Sequence, residues 1–218
     1  VSAPTSPRRD AQRNRQRLVA AARAVYSRRG LSAPLAEIAR EADVATATAY
    51  RHFPDRTRLI DGVFEEVLLG MIALAQEALE ADDPWDGLVR YVLGALELQA
   101  ADRGVREVIM SSHGESRLAA GRARLLPVVQ ALFTRAQGAG VLRADVAATD
   151  LAILGAMLAF EMDYAGAVAP DLWRRHAELI LDGLRARADT PPLPGPPLDA
   201  DRLAAVQDTW GTRDRTRR

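Results

Sequence analysis

Apolar residues recur at helical spacing along most of this chain, and the breaks between the runs fall at glycine and proline. Leu18, Ala21, Ala22, Val25 and Tyr26 follow the i, i+3, i+4, i+7, i+8 spacing of one buried face, with Arg15, Arg17, Arg23 and Arg28 mostly off it, until Gly30 offers a stop. This predicts a first helix over about 11–29. A second, over about 34–42, starts near Pro34, whose missing N–H suits a first turn, and buries Leu35, Ile38 and Ala39. A third takes up TATAYRHF, and Pro54 ends it because the residue before a proline is pushed out of the helical region. Asp55 then caps a long helix to about residue 81, its carboxylate at the positive end of the helix dipole. DPWD (83–86) repeats the device, with Asp83 as cap, Pro84 in the first turn and Asp86 three beyond the cap, and opens a helix over about 84–102. Further helices are expected over 103–111, 116–138 with a bend near Pro127, 148–167 and 171–188, separated by GAG (138–140) and AVAP (167–170).

The fold class expected is therefore all-α, in two parts followed by a tail. From Asp189 the composition shifts: five of the twelve prolines fall in PPLPGPP (191–197), and the end reads RDRTRR. Residues 189–218 read as a Pro/Arg-rich flexible tail with one weak helical turn near 200–207. The ten-residue run LAILGAMLAF (151–160) is half of the roughly 20 residues a membrane span needs, and no signal-peptide pattern opens the chain, so a cytoplasmic protein with no membrane partner is expected.

Charge sharpens the division. The net charge is zero and every basic residue is Arg, yet residues 1–60 hold 12 Arg against five acids while 61–218 hold 17 against 24, a +7 head on a −7 body. Such segregation suggests a polyanion partner for the head alone. With no cysteine, a disulfide framework, a thiolate zinc site and a cysteine nucleophile are excluded. The three histidines, at 52, 113 and 176, lack metal-ligand spacing, G-x-S-x-G is missing, and a Walker lysine is impossible without Lys. HGES (113–116) lacks a strand–turn–helix setting. No metal, no cofactor and no enzymatic activity are expected; an all-helical enzyme and a helical protein-binding adaptor are the rival readings.

Two short helices joined by a tight turn describe a helix-turn-helix unit. Ile38, Ala39, Val44, Ala49 and Phe53 can all point back onto the first helix, which leaves Thr46, Ala47, Thr48, Tyr50, Arg51 and His52 on the other face. Small residues at the start of such a helix allow close approach to base edges in a major groove, where Thr offers a hydroxyl and a methyl. Tyr50, Arg51 and His52, one turn later, suit phosphate oxygens. Tyr50 also reads as a core aromatic, His52 as a solvated histidine, and Arg8, Arg9 and Arg13 as an arm along the groove or as an ordinary basic end, with residues 1–10 expected as a flexible basic arm.

The stretch LAEIAREADVATATAYRHFPDRTRLI (35–60) resembles the DNA-binding signature of TetR-type repressors: an IA helix, a turn ending in Val, a recognition helix ending in Tyr-x-x-Phe, and a basic residue opening helix four. The resemblance covers about 13–60 and implies a helix-turn-helix DNA-binding domain over 1–60, followed by a helical effector-binding and dimerisation domain over 61–188. It assigns Thr46, Ala47 and Thr48 to bases, and Tyr50, Arg51, His52 and Arg56 to phosphates. Three positions depart from the pattern: Ala45 stands where a capping Ser is usual, Ala47 for a Gly, and Ala49 for a larger apolar residue.

A single short recognition helix reads few bases, so a homodimer on a palindromic operator of double-stranded DNA is expected. The last two long helices are the candidates for its interface. LAILGAMLAF is apolar nearly all round with Gly155 and Ala156 permitting close approach, and Leu172, Trp173, His176, Leu179, Ile180 and Leu184 form a stripe; Leu154, Leu158, Trp173, Ile180 and Leu184 are the expected contacts. The resemblance further implies a small-molecule effector site among the middle helices. Tyr91, Met110, His113, Phe133, Glu161 and Tyr164, polar or aromatic residues near apolar runs, are its candidates. The function expected is that of a ligand-responsive transcriptional regulator, a repressor released from its operator by its effector.

Overall fold

The structure, a computed structural model, describes residues 7–110, 117–189 and 191–206. Helices α1 (Pro7–Arg29), α2 (Leu35–Glu41) and α3 (Thr46–His52) form the head, and α4 (Arg56–Leu79) leads out of it. The body adds α5 (Pro84–Ala101), α6 (Arg103–Met110), α7 (Arg117–Gly138), α8 (Ala148–Ala165) and α9 (Leu172–Leu184). Among the described residues the only β pairing is an isolated antiparallel bridge, Leu142 to Arg185.

The expected stripe of α1 is buried in full, from Leu18 to Tyr26. The helix begins at Pro7, so residues 7–10, expected as part of a flexible arm, are its first turn, and Arg9 and Arg13 lie on it. Gly30 ends it with φ +74, a backbone conformation that disfavours any side chain, and a Cβ there would strike the Glu107 carboxylate. Asp43 takes the positive φ (50) in the turn between α2 and α3. Asp55 caps α4 by accepting from the Arg58 amide at 2.8 Å, and Asp83 caps α5 by accepting from the Trp85 and Asp86 amides at 2.7 and 3.2 Å. The missing serine shows at Ala45, where α3 has no side-chain cap. α7 runs through Pro127 without a break in the helix, and α9 ends at Leu184, where the bridge takes over.

Two apolar clusters share α4. The head cluster gathers Leu18, Val25, Tyr26, Ile38, Ala49 and Phe53 around Leu59, Ile60, Val63, Phe64, Val67 and Leu68, and takes in Val105 of α6. The body cluster begins on the same helix at Met71, Ala75 and Ala78 and includes Leu88, Leu132, Phe133, Leu158, Trp173 and Leu181. The head's packing therefore runs past residue 60, where the sequence division was drawn. α6 lies against α1, with Tyr26 stacked on Phe64 at 6.3 Å and Gly104 so close that a Cβ would lie 2.9 Å from the Tyr26 Cβ.

The Tyr26 hydroxyl is buried without a hydrogen-bond partner among the described residues, and burial pushes its pKa up to about 12, against a smaller lowering by Arg56. A pKa raised in the fold contributes stability that is full below the unfolded value of about 10 and is lost as pH rises from there towards 12. Tyr26→Phe is therefore expected to keep or raise the melting temperature at pH 7, staying within about 1 kcal/mol of wild type or above it, and to lessen alkaline destabilisation. Phe64→Ala, which empties the same layer, should cost about 3–5 kcal/mol in denaturant melts.

Candidate DNA-binding face and effector cavity

The seven residues of α3 divide as the packing requires. Ala49 faces the head core and is fully buried, as is Phe53 just beyond, while Thr46, Ala47, Tyr50 and Arg51 are exposed and Thr48 and His52 half-buried. Arg51 donates to the Thr48 hydroxyl at 3.2 Å, so one base candidate and one phosphate candidate touch each other. Arg56 is turned inward at one nitrogen, donating to the Leu31 carbonyl at the end of α1. Its guanidinium thus ties α4 to α1, a role its position at the start of a helix did not suggest.

Much of the head's basic charge is spent internally. Arg17 pairs with Asp43 at 3.0 Å, Arg28 with Glu41 at 3.2 Å and Arg29 with Glu37 at 2.7 Å, holding α1 to the helix-turn-helix unit. Arg15 lies 5.5 Å over the Phe53 ring. Arg9, Arg13 and Arg40 carry no ion pair among the described residues and are exposed.

In the body, a cavity of about 870 Å³ is bounded by α4, α5, α7, α8 and α9. Tyr91, the one described effector candidate that lines it, is buried, and burial raises its hydroxyl pKa well above the usual phenol range. Phe133 is part of the core and off the cavity lining. Glu161 is engaged between helices, its Oε1 lying 2.6 Å from His176 Nδ1. Tyr164 is 82% exposed and off the cavity lining, although it stacks at 6.0 Å on Phe160, which is part of that lining. His113 and the Met110 side chain lie outside the described residues. A residue that sequence reasoning missed is Gln99, buried at the cavity wall, its Oε1 without a hydrogen-bond partner among the described residues. Its signal was in plain view: a Gln in the apolar stripe Leu88, Tyr91, Val92, Ala95, Leu96.

The interface candidates divide differently from expectation. Leu158 (5% exposed), Trp173 and Leu184 are buried in the chain's own core, and Leu154 and Ile180 pack against it. The large apolar side chains left exposed on these helices are Met157 (60% exposed) and Phe160 (57% exposed), both also at the edge of the cavity, with Tyr164 and Leu179. A helix apolar all round cannot reveal from its sequence which side its own chain covers.

Residues 191–206, expected as part of a flexible tail, are largely exposed here but tethered to the body. Arg143 donates to the Pro191 carbonyl at 2.9 Å, the Leu193 amide to Asp145 at 2.8 Å, and the Thr149 hydroxyl to the Leu198 carbonyl at 2.7 Å. A helical segment over 200–206 follows, and Leu203 is buried at the cavity with Ala200, Ala204 and Val206 beside it.

Head and body meet at α6. Asp102 accepts from the Gly104 amide at 2.9 Å and lies 3.8 Å from Arg23 of α1. Glu107 accepts from the Leu31 amide at 2.6 Å and from Arg103 at 3.0 Å. Arg106, buried, donates to the main-chain carbonyl of Gln99 and to Asp163 of α8 at 2.8 Å. The cavity wall, α6 and the end of α1 are thereby linked by consecutive polar contacts.

A half-exposed polar helix set on a helix-turn-helix scaffold, beside a helical body with a half-open cavity, is the arrangement of a DNA-binding transcription regulator. Residues 18–63 match bacterial regulatory proteins of the tetR family, and residues 83–186 match the C-terminal domain of SbtR-like transcriptional regulators. The TetR transcription regulatory protein from Mycobacterium vanbaalenii is 30% identical, over 83% of this chain and 100% of that one, with a TM-score of 0.54. A TetR transcriptional regulator from Streptomyces coelicolor is 29% identical over 80% and 99%, with a TM-score of 0.56. A γ-butyrolactone receptor shares the fold at 17% identity, 96% and 100% coverage and a TM-score of 0.60. No significant match is found among curated proteins. The chain belongs to the TetR family of transcriptional regulators. Among the described residues no helix is long and apolar enough to cross a membrane.

The tail contact has a pH signature. Hydrogen bonds from Arg143 and the Leu193 amide hold the Asp145 carboxyl well below the usual carboxylate range. A depressed pKa contributes stability that is present above the unfolded value of about 3.9 and is lost as pH falls below it. Amide exchange at Leu193 is expected to stay slow at neutral pH and to quicken relative to core amides once pH drops below about 4. Asp145→Ala should bring the faster exchange already at pH 7.

Proposed function

We propose that the protein is a ligand-responsive repressor that binds a palindromic operator as a homodimer. The observation that carries this reading is that α4 belongs to both apolar clusters, so the DNA-facing head and the cavity-bearing body share one helix. Thr46, Ala47 and Thr48 read bases, while Tyr50, Arg51 and His52 hold phosphates, Arg51 leaving Thr48 as it does so. Arg56 sets the angle between α4 and α1 through Leu31 in addition to any phosphate contact. Met157, Phe160, Tyr164 and Leu179 form the dimer face, a second copy of the chain being the partner that a two-fold operator demands.

The effector enters the cavity and acts through α6. It releases DNA to the extent that it binds the DNA-free form more tightly, and operator DNA must then weaken its binding by the same factor. Two neighbours of the same fold, the γ-butyrolactone receptor and a SmeT–triclosan complex, are named for small ligands, which supports a ligand response by analogy of fold.

Footprinting on the promoters nearest the gene, followed by titration at several salt concentrations, tests the DNA reading. Log affinity should fall with log salt at about −0.9 per phosphate contact, and a flat dependence would refute it. Thr48→Ala should change base preference at a cost of about 1–3 kcal/mol, whereas Arg51→Ala should weaken all sites alike. Phe160→Asp is expected to give a folded monomer with little operator affinity, read by sedimentation and circular dichroism together. Leu158→Asp, which buries a charge in the chain's own core, should instead lose the fold. A Phe160→Asp dimer would move the interface elsewhere.

A further inference from the structure

The tail segment is held to the body in two different ways along its length. Up to Leu198 the ties are polar and to the backbone: Arg143, Asp145 and Thr149 hold Pro191, Leu193 and Leu198. All three anchors stand between the end of α7 and the first turn of α8, where Ala148 and Leu151 line the cavity. The last of them is built into the body, since Thr149 is 5% exposed and its hydroxyl spends its proton on the Leu198 carbonyl. Beyond Leu198 the hydrogen bonds turn local. Asp199 caps its own helix, its carboxylate accepting from the Arg202 amide at 2.7 Å and its carbonyl from the Leu203 amide at 3.0 Å. Leu203 is the buried side chain of this stretch, and it is buried at the cavity.

The described helical residues here, 200–206, are far fewer than the roughly 12–15 at which an isolated helix becomes even marginal, so this helix depends on what it is docked against. Docking of Leu203 and helix formation are therefore one event. Ala200, Ala204 and Val206 border the same cavity yet remain exposed, so a molecule in the cavity has apolar surface on this segment still to cover. We propose that residues 199–206 are a strap, hinged at Leu198 and anchored by Thr149, that closes on an apolar molecule held in the cavity, with Leu203 as the side chain that meets it. This rests on the cavity being a ligand site. A bound molecule that touches the strap favours its docked state by just the extra contact that state provides. The strap thereby slows release, while the head and α4 need not move for it to do so.

The probe is N-phenyl-1-naphthylamine, a neutral apolar dye whose emission rises out of water, titrated into the full-length protein. Amide exchange across 201–206 is expected to be faster than in α8 for the free protein and to slow when the dye saturates it. Leu203→Ala should weaken dye binding on the order of fivefold with an unchanged circular dichroism spectrum, as expected for lost apolar contact outside the main helices. Thr149→Val, which removes the hinge bond and keeps the side-chain shape, should raise the dissociation rate in stopped flow severalfold and leave the association rate nearly as it was. Asp199→Ala, which removes the cap and touches no cavity residue, should act in the same direction. Dye binding that depends on Leu203 but is indifferent to Thr149→Val and Asp199→Ala, with no protection of 201–206, makes the segment a fixed wall and overturns the strap. Protection of 201–206 that follows protein concentration and not the dye overturns it in favour of a contact between copies. Leu151→Trp, which fills the cavity, should abolish dye binding. Binding that survives this change, or no binding by the wild type up to the dye's solubility, overturns the cavity as ligand site and the strap with it, an outcome distinct from loss of the strap alone.

Discussion

Helix α4 has to satisfy two apolar cores at once. Its first half, from Leu59 to Leu68, completes the head, and its second, from Met71 to Ala78, completes the body. A helix of 24 residues is about 36 Å long, and close packing along both halves leaves it no slack in which to bend independently of either core. Rotation of the body about the head must therefore displace the Asp55 end of the helix, immediately beyond the recognition helix. Under the proposed function, a small change of tilt near the cavity becomes a larger displacement at the end that faces DNA.

Apolar packing is non-directional, so something else has to fix the angle between the parts. That role falls to the polar contacts of α6 and its surroundings. Arg106 joins α5, α6 and α8 through one guanidinium, Glu107 seats the chain after α1, and Arg56 reaches the adjoining Leu31 carbonyl from α4. Each has a specific geometry, so they select one docking of head on body from the many that apolar surfaces would tolerate. They also set a limit on the head's basic charge, because arginines engaged in the fold attract DNA only through their field.

The sequence was most legible where one residue does one local job. Asp55 and Asp83 cap helices, Gly30 ends one, and the apolar stripe of α1 faces inward, because each depends on neighbours within a turn. The helix-turn-helix unit and its exposed face were legible for the same reason. Long-range partners were less so. Periodicity marks Leu158 and Trp173 as buried but is silent on whether their own chain or a second one buries them, and Tyr164 looks like a pocket aromatic until α8 is seen to turn it outward. Arg56 reads as a phosphate ligand by position, yet one of its nitrogens spans from α4 to α1. Gln99 was overlooked since a single amide in an apolar stripe resembles ordinary core variation. Proline-rich composition suggested freedom for 191–206, whereas Thr149, Arg143 and Asp145 supply partners for a backbone that makes few bonds of its own.

That last segment closes one side of the cavity with residues that carry no share of the main helical framework. Changes at Ala200, Leu203, Ala204 or Val206 can resize the chamber without touching a helix that supports the head. With the cavity as the proposed effector site, the choice of ligand and the reading of DNA would then vary as separate traits within one chain.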